Sequence, residues 1–249
     1  MVGILDAGCW LLDNAGVSLV SCIEQPASST QFMPSLTVEN YVKAIYQLAH
    51  GAEGGAVATG QISAALGVLP GTVTSMLKTL DESNLATYTP YEGVRLTPSG
   101  RGLALRVLRR HRLIEQFLSQ TLNLSWDEVH EEAEHMEHAV SDSLVDRIDA
   151  YLGHPSTDPH GDPIPKADGT VAPAADRSLA ECAVGDRFRL ARVIDQSSDF
   201  LRYLSQTGLE IGAQGSLVEN DEAHAKITIL LGSDEKTLSR EAATKLMVR

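Results

Sequence analysis

The sequence predicts a mainly helical N-terminal part followed by a small, mostly β C-terminal domain. Apolar residues recur at helical spacing from about residue 37 to residue 152, and after residue 179 the pattern changes to short apolar runs separated by glycine. The stretch between them, 154–177, is rich in proline, glycine, aspartate and alanine, which is typical of a linker. With 249 residues, 43% of them hydrophobic, the chain is long enough for two cores.

Three helices are predicted at the start of the patterned region. Thr37 can cap a first helix that runs to about residue 49, and a short second helix over 59–66 is stopped by Gly67. Pro70 opens a third helix, 71–83, whose apolar residues share one face. Two short helices across a tight turn are typical of a helix-turn-helix.

A β-hairpin is predicted directly after these helices. Two short extended runs, 85–89 and 94–97, flank turn-forming residues. We therefore assign residues 34–100 to a winged helix-turn-helix, whose third helix enters the major groove of DNA while basic residues bind phosphates. The candidate DNA contacts are Thr72, Thr74, Ser75, Lys78, Arg95 and Arg101, followed by Arg109, Arg110 and Arg112.

Two long amphipathic helices follow the hairpin. Thr97 and Pro98 are typical of an N-cap and a first helical residue, and predict a helix to about residue 122. Ser125 and Glu128 form a capping-box pattern that predicts a second helix to about residue 152. The apolar faces of this helical domain, 101–153, suit a homodimer, which a palindromic operator requires.

The charges of the chain are segregated. A net charge of −13 would be unusual for a protein that binds phosphates, yet residues 34–112 carry 8 basic and 5 acidic side chains, a net charge of +3. Residues 113–151 carry 1 basic and 10 acidic side chains, a net charge of −9. The first segment suits an anionic partner and the second a cationic one.

The acidic segment contains a pattern that suits a metal ion. Glu134, Glu137 and His138 stand at i, i+3 and i+4, which places them on one helix face where they can converge on one cation. Carboxylate and imidazole ligands without thiolate favour Mn²⁺ or Fe²⁺, although Zn²⁺ and Co²⁺ also bind such sites in vitro. An acidic helical run is equally typical of a solvated helix face.

The helix-turn-helix, the hairpin and the segments TPSGRGLALRVLRRHRLIEQFL, VHEEAEHMEHAVSD and DPHGDPIP together resemble the metal-dependent repressors related to the diphtheria toxin repressor and the manganese transport regulator. The resemblance runs from about Leu36 to the C-terminus. It implies a cytoplasmic, homodimeric DNA-binding repressor of metal-ion uptake or homeostasis genes, and not an enzyme. It also implies that residues 178–249 form an SH3-like, FeoA-like β-barrel.

The resemblance further implies a primary metal site that adds Asn40 to the three helical ligands. Iron-type members have a methionine at this position and manganese-type members an aspartate. Glu134 stands where iron-type members carry cysteine, and an oxygen ligand there favours Mn²⁺ over Fe²⁺. Lys43 replaces a glutamate of the manganese-type binuclear site, and its ammonium would repel a second cation, which argues against a binuclear arrangement.

A second, ancillary metal site is suggested by His111 and Glu115, at i and i+4 on the preceding helix, and the resemblance implies the same. The pair is also compatible with an ordinary exposed ion pair. The residues that could complete the site are His130, Asp158, His160 and, from the β domain, Asp199. Such a site would hold the C-terminal domain against the helices.

Other function classes remain open from the sequence. A zinc hydrolase would use histidine and glutamate on a helix, but the run from His130 to Glu134 lacks the second histidine of HExxH, and no nucleophile motif is present. A winged-helix regulator could instead sense an organic ligand, and an iron-dependent repressor would share every motif named above.

The remaining features concern location. The three cysteines are not at CxxC spacing, so we expect neither a disulfide framework nor a thiolate zinc site, and a reducing cytoplasm is the simplest setting. No apolar run reaches the length of a membrane span, so we expect no membrane association. Residues 1–33 contain no Lys or Arg and hence no signal-peptide n-region. Residues 1–32 are interpreted either as an upstream start-site artefact or as a genuine extension.

Overall fold

The computed structural model describes residues 35–51 and 55–249, and the N-terminal extension discussed above lies outside the described residues. The helices are α1 (Leu36–Gly51), α2 (Thr59–Leu66), α3 (Pro70–Glu82), α4 (Pro98–Leu122), α5 (Val129–Met136), α6 (Asp142–Tyr151), α7 (Ser198–Thr207) and α8 (Arg240–Thr244). The strands are β1 (Ala86–Thr89), β2 (Gly93–Leu96), β3 (Arg177–Ser178), β4 (Arg187–Val193), β5 (Gln214–Asp221), β6 (Lys226–Leu231), β7 (Asp234–Ser239) and β8 (Leu246–Val248).

The winged helix-turn-helix is present as predicted. Gly67 ends α2 in the left-handed conformation at a φ of 63°, and Pro70 starts α3. The wing strands β1 and β2 pair antiparallel. The backbone N–H of Val38 points at the Ser35 hydroxyl at 3.4 Å, so α1 begins slightly before the predicted Thr37 cap. Fully buried apolar side chains from all three helices and the wing form one core.

Helix α4 joins two parts of the molecule. The Thr97 hydroxyl accepts the N–H of Gly100 at 3.1 Å, which confirms the predicted cap. A Cβ at Gly100 would overlap the Leu85 carbonyl, so glycine is needed where α4 crosses the winged domain. Leu108 packs in the winged-helix core, whereas Leu113 packs against α6. One rigid helix therefore connects the winged domain to α5 and α6.

The prediction of a single helix from about residue 126 to 152 is wrong, because this segment forms two helices. Only half of the predicted capping box forms: Glu128 accepts the backbone N–H of Ser125 at 3.0 Å, but the Ser125 hydroxyl donates to the Glu128 carboxylate, and regular helix starts only at Val129. Helix α5 ends at Met136, and Ser141 caps α6 by accepting the N–H of Leu144. The break leaves residues 137–141 in a turn at the metal-binding motif.

The C-terminal domain contains a six-stranded sheet in the order β3-β8-β4-β5-β6-β7, with every neighbouring pair antiparallel. Helix α7 packs Leu201 and Leu204 into the core beneath this sheet. The sheet is open between β3 and β7, so the expected barrel is corrected to an open sheet.

The segment 154–177, predicted to be a linker, is packed in its first half. Residues 158–165 are buried except for Pro159, which is half-buried. Gly161 adopts a φ of 85°, and a Cβ there would overlap the Ala191 carbonyl of β4. The prediction of a linker was therefore wrong for these residues, because close backbone packing and buried ion pairs hold them in place. Within the part of the chain that the structure describes, no helix is long and apolar enough to cross a membrane.

Candidate metal centre and DNA-binding surface

A first cluster of polar side chains lies where α1 meets the end of α5, and we call it the α1–α5 cluster: Lys43, Glu134, Glu137 and His138, together with Asn40, which precedes Lys43 by one turn of α1. The apolar residues Val129 and Ala133 pack α5 onto α4, which turns Glu134 and Glu137 towards α1. The Oε1 atom of Glu137 lies 3.2 Å from Nε2 of His138. Glu134 and Glu137 thus form a group with His111 whose potential ligand atoms lie within 4.8 Å of one another, and His138 adjoins this group through Glu137.

Asn40 provides the side-chain oxygen that the sequence placed on the first helix. Its Oδ1 atom is buried and has no hydrogen-bond partner in the protein. A buried amide oxygen without a partner costs on the order of 1–3 kcal/mol. The atom is suited to coordinate a hard cation, so the residues present fit a metal ion here.

Glu39 was not among the predicted site residues, yet it belongs to this region. Its Oε2 atom lies 2.7 Å from Nδ1 of His138, and its Oε1 atom accepts from Arg110 at 3.2 Å. A carboxylate on one imidazole nitrogen orients the ring and leaves the other nitrogen for a metal. The sequence signal for this role is an acidic residue directly before Asn40 on the first helix.

A second cluster lies between α4 and the buried loop, and we call it the α4–loop cluster: His111, Glu115, His130, Asp158 and His160. The Oε1 atom of Glu115 lies 2.9 Å from Nε2 of His111, 3.1 Å from Nδ1 of His130 and 3.8 Å from Nδ1 of His160. Glu115 Oε2 and His160 Nδ1 are both buried without a partner. These free ligand atoms fit a second cation.

His111 connects the two clusters. Its Nδ1 atom lies 2.7 Å from Oε2 of Glu137, while its Nε2 atom faces Glu115. The sequence assigned His111 only to the ancillary site, and the structure places it between both. His135 is exposed and belongs to neither cluster.

Asp199 is not brought to the α4–loop cluster. Its side chain is 96% exposed and pairs with Arg202 at 2.6 Å. The reason is the amphipathic pattern of α7, which buries Leu201 and Leu204 and leaves Asp199 on the solvent face. The expectation that Asp199 completes the site is therefore corrected.

The predicted DNA-contacting residues lie on the outer face of the winged domain. Thr72, Ser75 and Lys78 are exposed along α3, whereas the hydroxyl of Thr74 donates to the Pro70 carbonyl at 3.0 Å. Arg95 is exposed on the wing, and the exposed Arg101 places its guanidinium 5.8 Å from the centre of the Tyr46 ring.

The three further arginines on α4 bond within the protein and do not present their guanidinium groups to DNA phosphates. Arg109 pairs with Asp149 at 2.8 Å, Arg110 contacts Glu39, and Arg112 donates to the Pro163 carbonyl at 2.6 Å. Their guanidinium groups hold α4 to α6, α1 and the buried loop. These residues are therefore structural, which corrects the expectation of phosphate contacts.

Family models of known domains match three successive parts of the chain. Residues 33–94 match the N-terminal DNA-binding domain of iron-dependent repressors, 97–166 match their metal-binding and dimerisation domain, and 177–249 match a FeoA domain. The iron-dependent repressor IdeR of Mycobacterium leprae is 30% identical over 224 residues, covering 85% of this chain and 96% of its own length. This chain belongs to the family of metal-dependent repressors that includes IdeR, MntR and the diphtheria toxin repressor.

Relatives of both metal types occur among the similar proteins. The regulator MntR of Geobacillus kaustophilus is 37% identical over 116 residues, covering 47% of this chain and 80% of its own. A solved structure of a manganese-dependent transcriptional repressor in complex with manganese is 37% identical and has a TM-score of 0.76. The match covers 85% of this chain and 98% of that one. A structure of ScaR with bound Zn²⁺ is 32% identical with a TM-score of 0.73, over 85% of this chain and 98% of that one. Members of this family are dimeric, metal-dependent, DNA-binding transcriptional repressors. The matches confirm the family and the fold class that the sequence predicts.

In this family member the α4–loop cluster has strongly shifted pKa values. Burial opposes protonation of His111, but the carboxylates of Glu115 and Glu137 together outweigh it and raise the pKa of His111 to about 9. Burial, reinforced by Glu115 and Asp162, raises the pKa of Asp158 well above its usual range. Burial also lowers the pKa of His160. Neutral His160 donates Nε2–H to the Trp126 carbonyl at 2.7 Å, which leaves its Nδ1 lone pair directed towards Glu115.

The same loop attaches the FeoA domain to the helices. The Asp162 carboxylate accepts from Arg192 and, at 2.7 Å, from Gln196, while the His160 carbonyl accepts the N–H of Val193 at 2.9 Å. Asp158 Oδ1 accepts the backbone N–H groups of His160 and Asp162 at 2.8 and 2.9 Å. The candidate ligands of the loop are therefore held by the residues that dock the C-terminal domain.

Proposed function

We propose that this protein is a Mn²⁺-responsive repressor of metal-homeostasis genes that acts in the cytoplasm as a homodimer on a palindromic operator. One observation carries the choice of metal. The side chains that converge between α1 and α5 offer carboxylate and imidazole ligand atoms, Asn40 of α1 offers an unpartnered amide oxygen, and the only cysteine in the described parts of the chain, Cys182, is buried in the C-terminal core. Oxygen-rich sites of this kind favour Mn²⁺ over softer metals.

The proposed primary ligands are Asn40, Glu134, Glu137 and His138, and the proposed ancillary ligands are His111, Glu115, His130, Asp158 and His160. The unpartnered oxygen of Asn40 supports the first set, and the unpartnered atoms of Glu115 and His160 support the second. A bound divalent ion supplies the positive charge that balances the converging carboxylates.

The response follows from where the ligands are attached. Asn40 belongs to α1, which packs into the winged-helix core beside Ile62 of α2 and Leu77 of α3. Glu137 follows α5, which packs on the second half of α4. Ligands on both elements fix α1, and with it the recognition helix, relative to the helical domain. Metal and DNA then favour the same arrangement and tighten each other's binding.

Operator binding measured with each metal separately tests this proposal. Operators are first selected from random duplexes with Mn²⁺-loaded protein, and fluorescence anisotropy then follows binding in Mn²⁺, anaerobic Fe²⁺, Co²⁺ and Zn²⁺. We expect binding to require a metal, with Mn²⁺ effective at concentrations at which Fe²⁺ is not. A stronger response to Fe²⁺ would instead make the protein an iron-dependent repressor.

Two variants test which residues the metal response of operator binding depends on. Glu137→Gln removes a buried ligand charge and should abolish the metal response, whereas His135→Gln changes an exposed residue outside both clusters and should retain it. Equal operator affinity with and without metal would contradict the proposal and favour a regulator that senses an organic ligand. A full response in Glu137→Gln would show that the metal binds elsewhere.

A further inference from the structure

The ammonium group of Lys43 lies in the middle of metal-ligating side chains. Its Nζ atom is 2.6 Å from Glu134 Oε1, 3.0 and 2.9 Å from the two carboxylate oxygens of Glu137, and 3.3 Å from Nδ1 of His111. One ligand atom from each of these three residues lies within 4.8 Å of the others, which is the spacing of a cation site. A cation therefore already stands at this position, and it is part of the protein.

This ammonium is enclosed rather than solvated. The side chain of Lys43 is 7% exposed and that of Glu137 is fully buried. A buried ammonium is costly unless it is paired and hydrogen-bonded, and here the carboxylates of Glu134 and Glu137 meet that requirement. Lys43 also lies one helical turn after Asn40, so that the two residues share one face of α1.

We propose that Lys43 is a resident cation that replaces a second metal ion, so that the α1–α5 cluster admits a single divalent ion. The inference rests on the proposed function, because it concerns the number of ions in the proposed primary site. The single ion is assigned to the other side of the shared Glu137 carboxylate, where His138 Nε2 lies 3.2 Å from Glu137 Oε1. Asn40, one helical turn before Lys43 on α1, offers its unpartnered oxygen as a further ligand.

The charges of the cluster support one ion. The two carboxylates that pair with Lys43 carry two negative charges, and Lys43 with one divalent ion already supplies three positive charges. A second divalent ion would add two more positive charges and would have to displace the ammonium from both carboxylates. Glutamate in place of Lys43 would reverse this balance and would add a carboxylate ligand beside the same three donors.

Lys43 also has a consequence for the protein before any metal binds. The ion pairs from α1 to Glu134 and Glu137 draw together carboxylates that would otherwise repel each other. The half of the site formed by α5 is therefore preorganised by a side chain of α1, and this lowers the cost of assembling the ligands.

The experiment counts Mn²⁺ ions in the full-length protein. Equilibrium dialysis with elemental analysis gives the number bound per chain, and electron paramagnetic resonance shows whether two ions are exchange-coupled, as expected for ions about 3.5–4 Å apart that share a carboxylate. We expect no coupled pair in the unmodified protein. Lys43→Glu should bind one additional Mn²⁺ per chain and show a coupled spectrum.

Two further variants serve as controls. Lys43→Arg retains a cation and should keep the original number of ions without coupling. Lys226→Glu makes the same change of net charge at an exposed position on β6, and should also leave the number of ions unchanged. These controls separate the position of the new carboxylate from a general effect of negative charge.

Several results would overturn the inference. An exchange-coupled pair in the unmodified protein would show that metal displaces Lys43, and a folded Lys43→Glu protein that binds no additional ion would show that the lysine does not exclude one. The spectra of the unmodified protein and of Lys43→Arg decide the question even if Lys43→Glu does not fold. Failure of the proposed function gives a different result, because Glu137→Gln would then bind as much Mn²⁺ as the unmodified protein.

Discussion

Replacement of Asp162 by asparagine should loosen the docking of the FeoA domain without unfolding it. The carboxylate accepts from Arg192 and Gln196, and an asparagine side chain keeps only one acceptor oxygen and presents an N–H to the other donor. A hydrogen bond to a charged group contributes about 1.5–3 kcal/mol. Because the Arg192 side chain is 27% exposed, solvent screening reduces the free energy that its bond to Asp162 contributes. We therefore expect a loss of about 2 kcal/mol, roughly 30-fold in the docking equilibrium.

Hydrogen exchange at Val193 measures this docking directly. Its N–H is donated to the His160 carbonyl at 2.9 Å, across the contact between β4 and the loop, so its exchange requires the contact to open. In the Asp162→Asn protein the backbone amide hydrogen of Val193 should exchange roughly 30-fold faster than in the unmodified protein. The control Asp199→Asn alters a 96% exposed carboxylate and should change the rate by about twofold at most. An unchanged rate at Val193 in Asp162→Asn would refute the reasoning.

Three further predictions concern the core, the DNA surface and the proton balance of the site. Leu108→Ala should lower the free energy of unfolding by about 2–5 kcal/mol in a urea titration, because Leu108 is buried in the winged-helix core, whereas the exposed Leu122→Ala should have little effect; equal effects would contradict the assigned packing. Lys78→Ala should weaken binding to all DNA sequences and reduce the slope of log affinity against log salt by about one, and an unchanged slope would exclude a phosphate contact. The raised pKa of His111, about 9, favours the folded state fully below about pH 6.5, and this contribution is lost as the pH rises through about 9. Metal binding through neutral His111 should therefore release about one proton at pH 7, as measured by calorimetry in buffers of different ionisation enthalpy, and no release would exclude His111 as a ligand.

Much of the helical part could be predicted because local signals agree there with the tertiary structure. The glycine after α2, the proline at the start of α3 and the Thr97 cap of α4 act on the backbone within a few residues, and the elements begin or end at these signals. Helical spacing also brought Glu134, Glu137 and His138 to one region, although the helix itself ends at Met136.

The remaining features depend on contacts that are distant in the sequence. Strand β7 (Asp234–Ser239) has almost no apolar residues, and it forms because it pairs along its whole length with β6. Residues 158–165 have the composition of a linker, yet Arg112 of α4 and Arg192 of β4 converge on Asp162 and hold them in place. Composition reports the local preference of a segment and not the partners that the fold brings to it.

The candidate metal site also combines features that local sequence predicts with contacts between residues that are distant in the sequence. The ligand types and their spacing could be predicted, because His111 and Glu115 lie on one helix and Glu134 is separated from Glu137 and His138 by only the last turn of α5. The contact of Glu39 with His138 spans 99 residues, and that of Lys43 with Glu137 spans 94. The sequence showed that Lys43 is a cation, but only the fold shows that its ammonium lies among the ligands.

The coupling between metal and DNA is the central claim, and one thermodynamic measurement tests it. The affinity for Mn²⁺ is measured with and without saturating operator duplex, and the affinity for the duplex with and without saturating Mn²⁺. The account predicts that both affinities increase, and by the same factor. An affinity for Mn²⁺ that is the same with and without the operator would contradict it, however tightly each ligand binds alone.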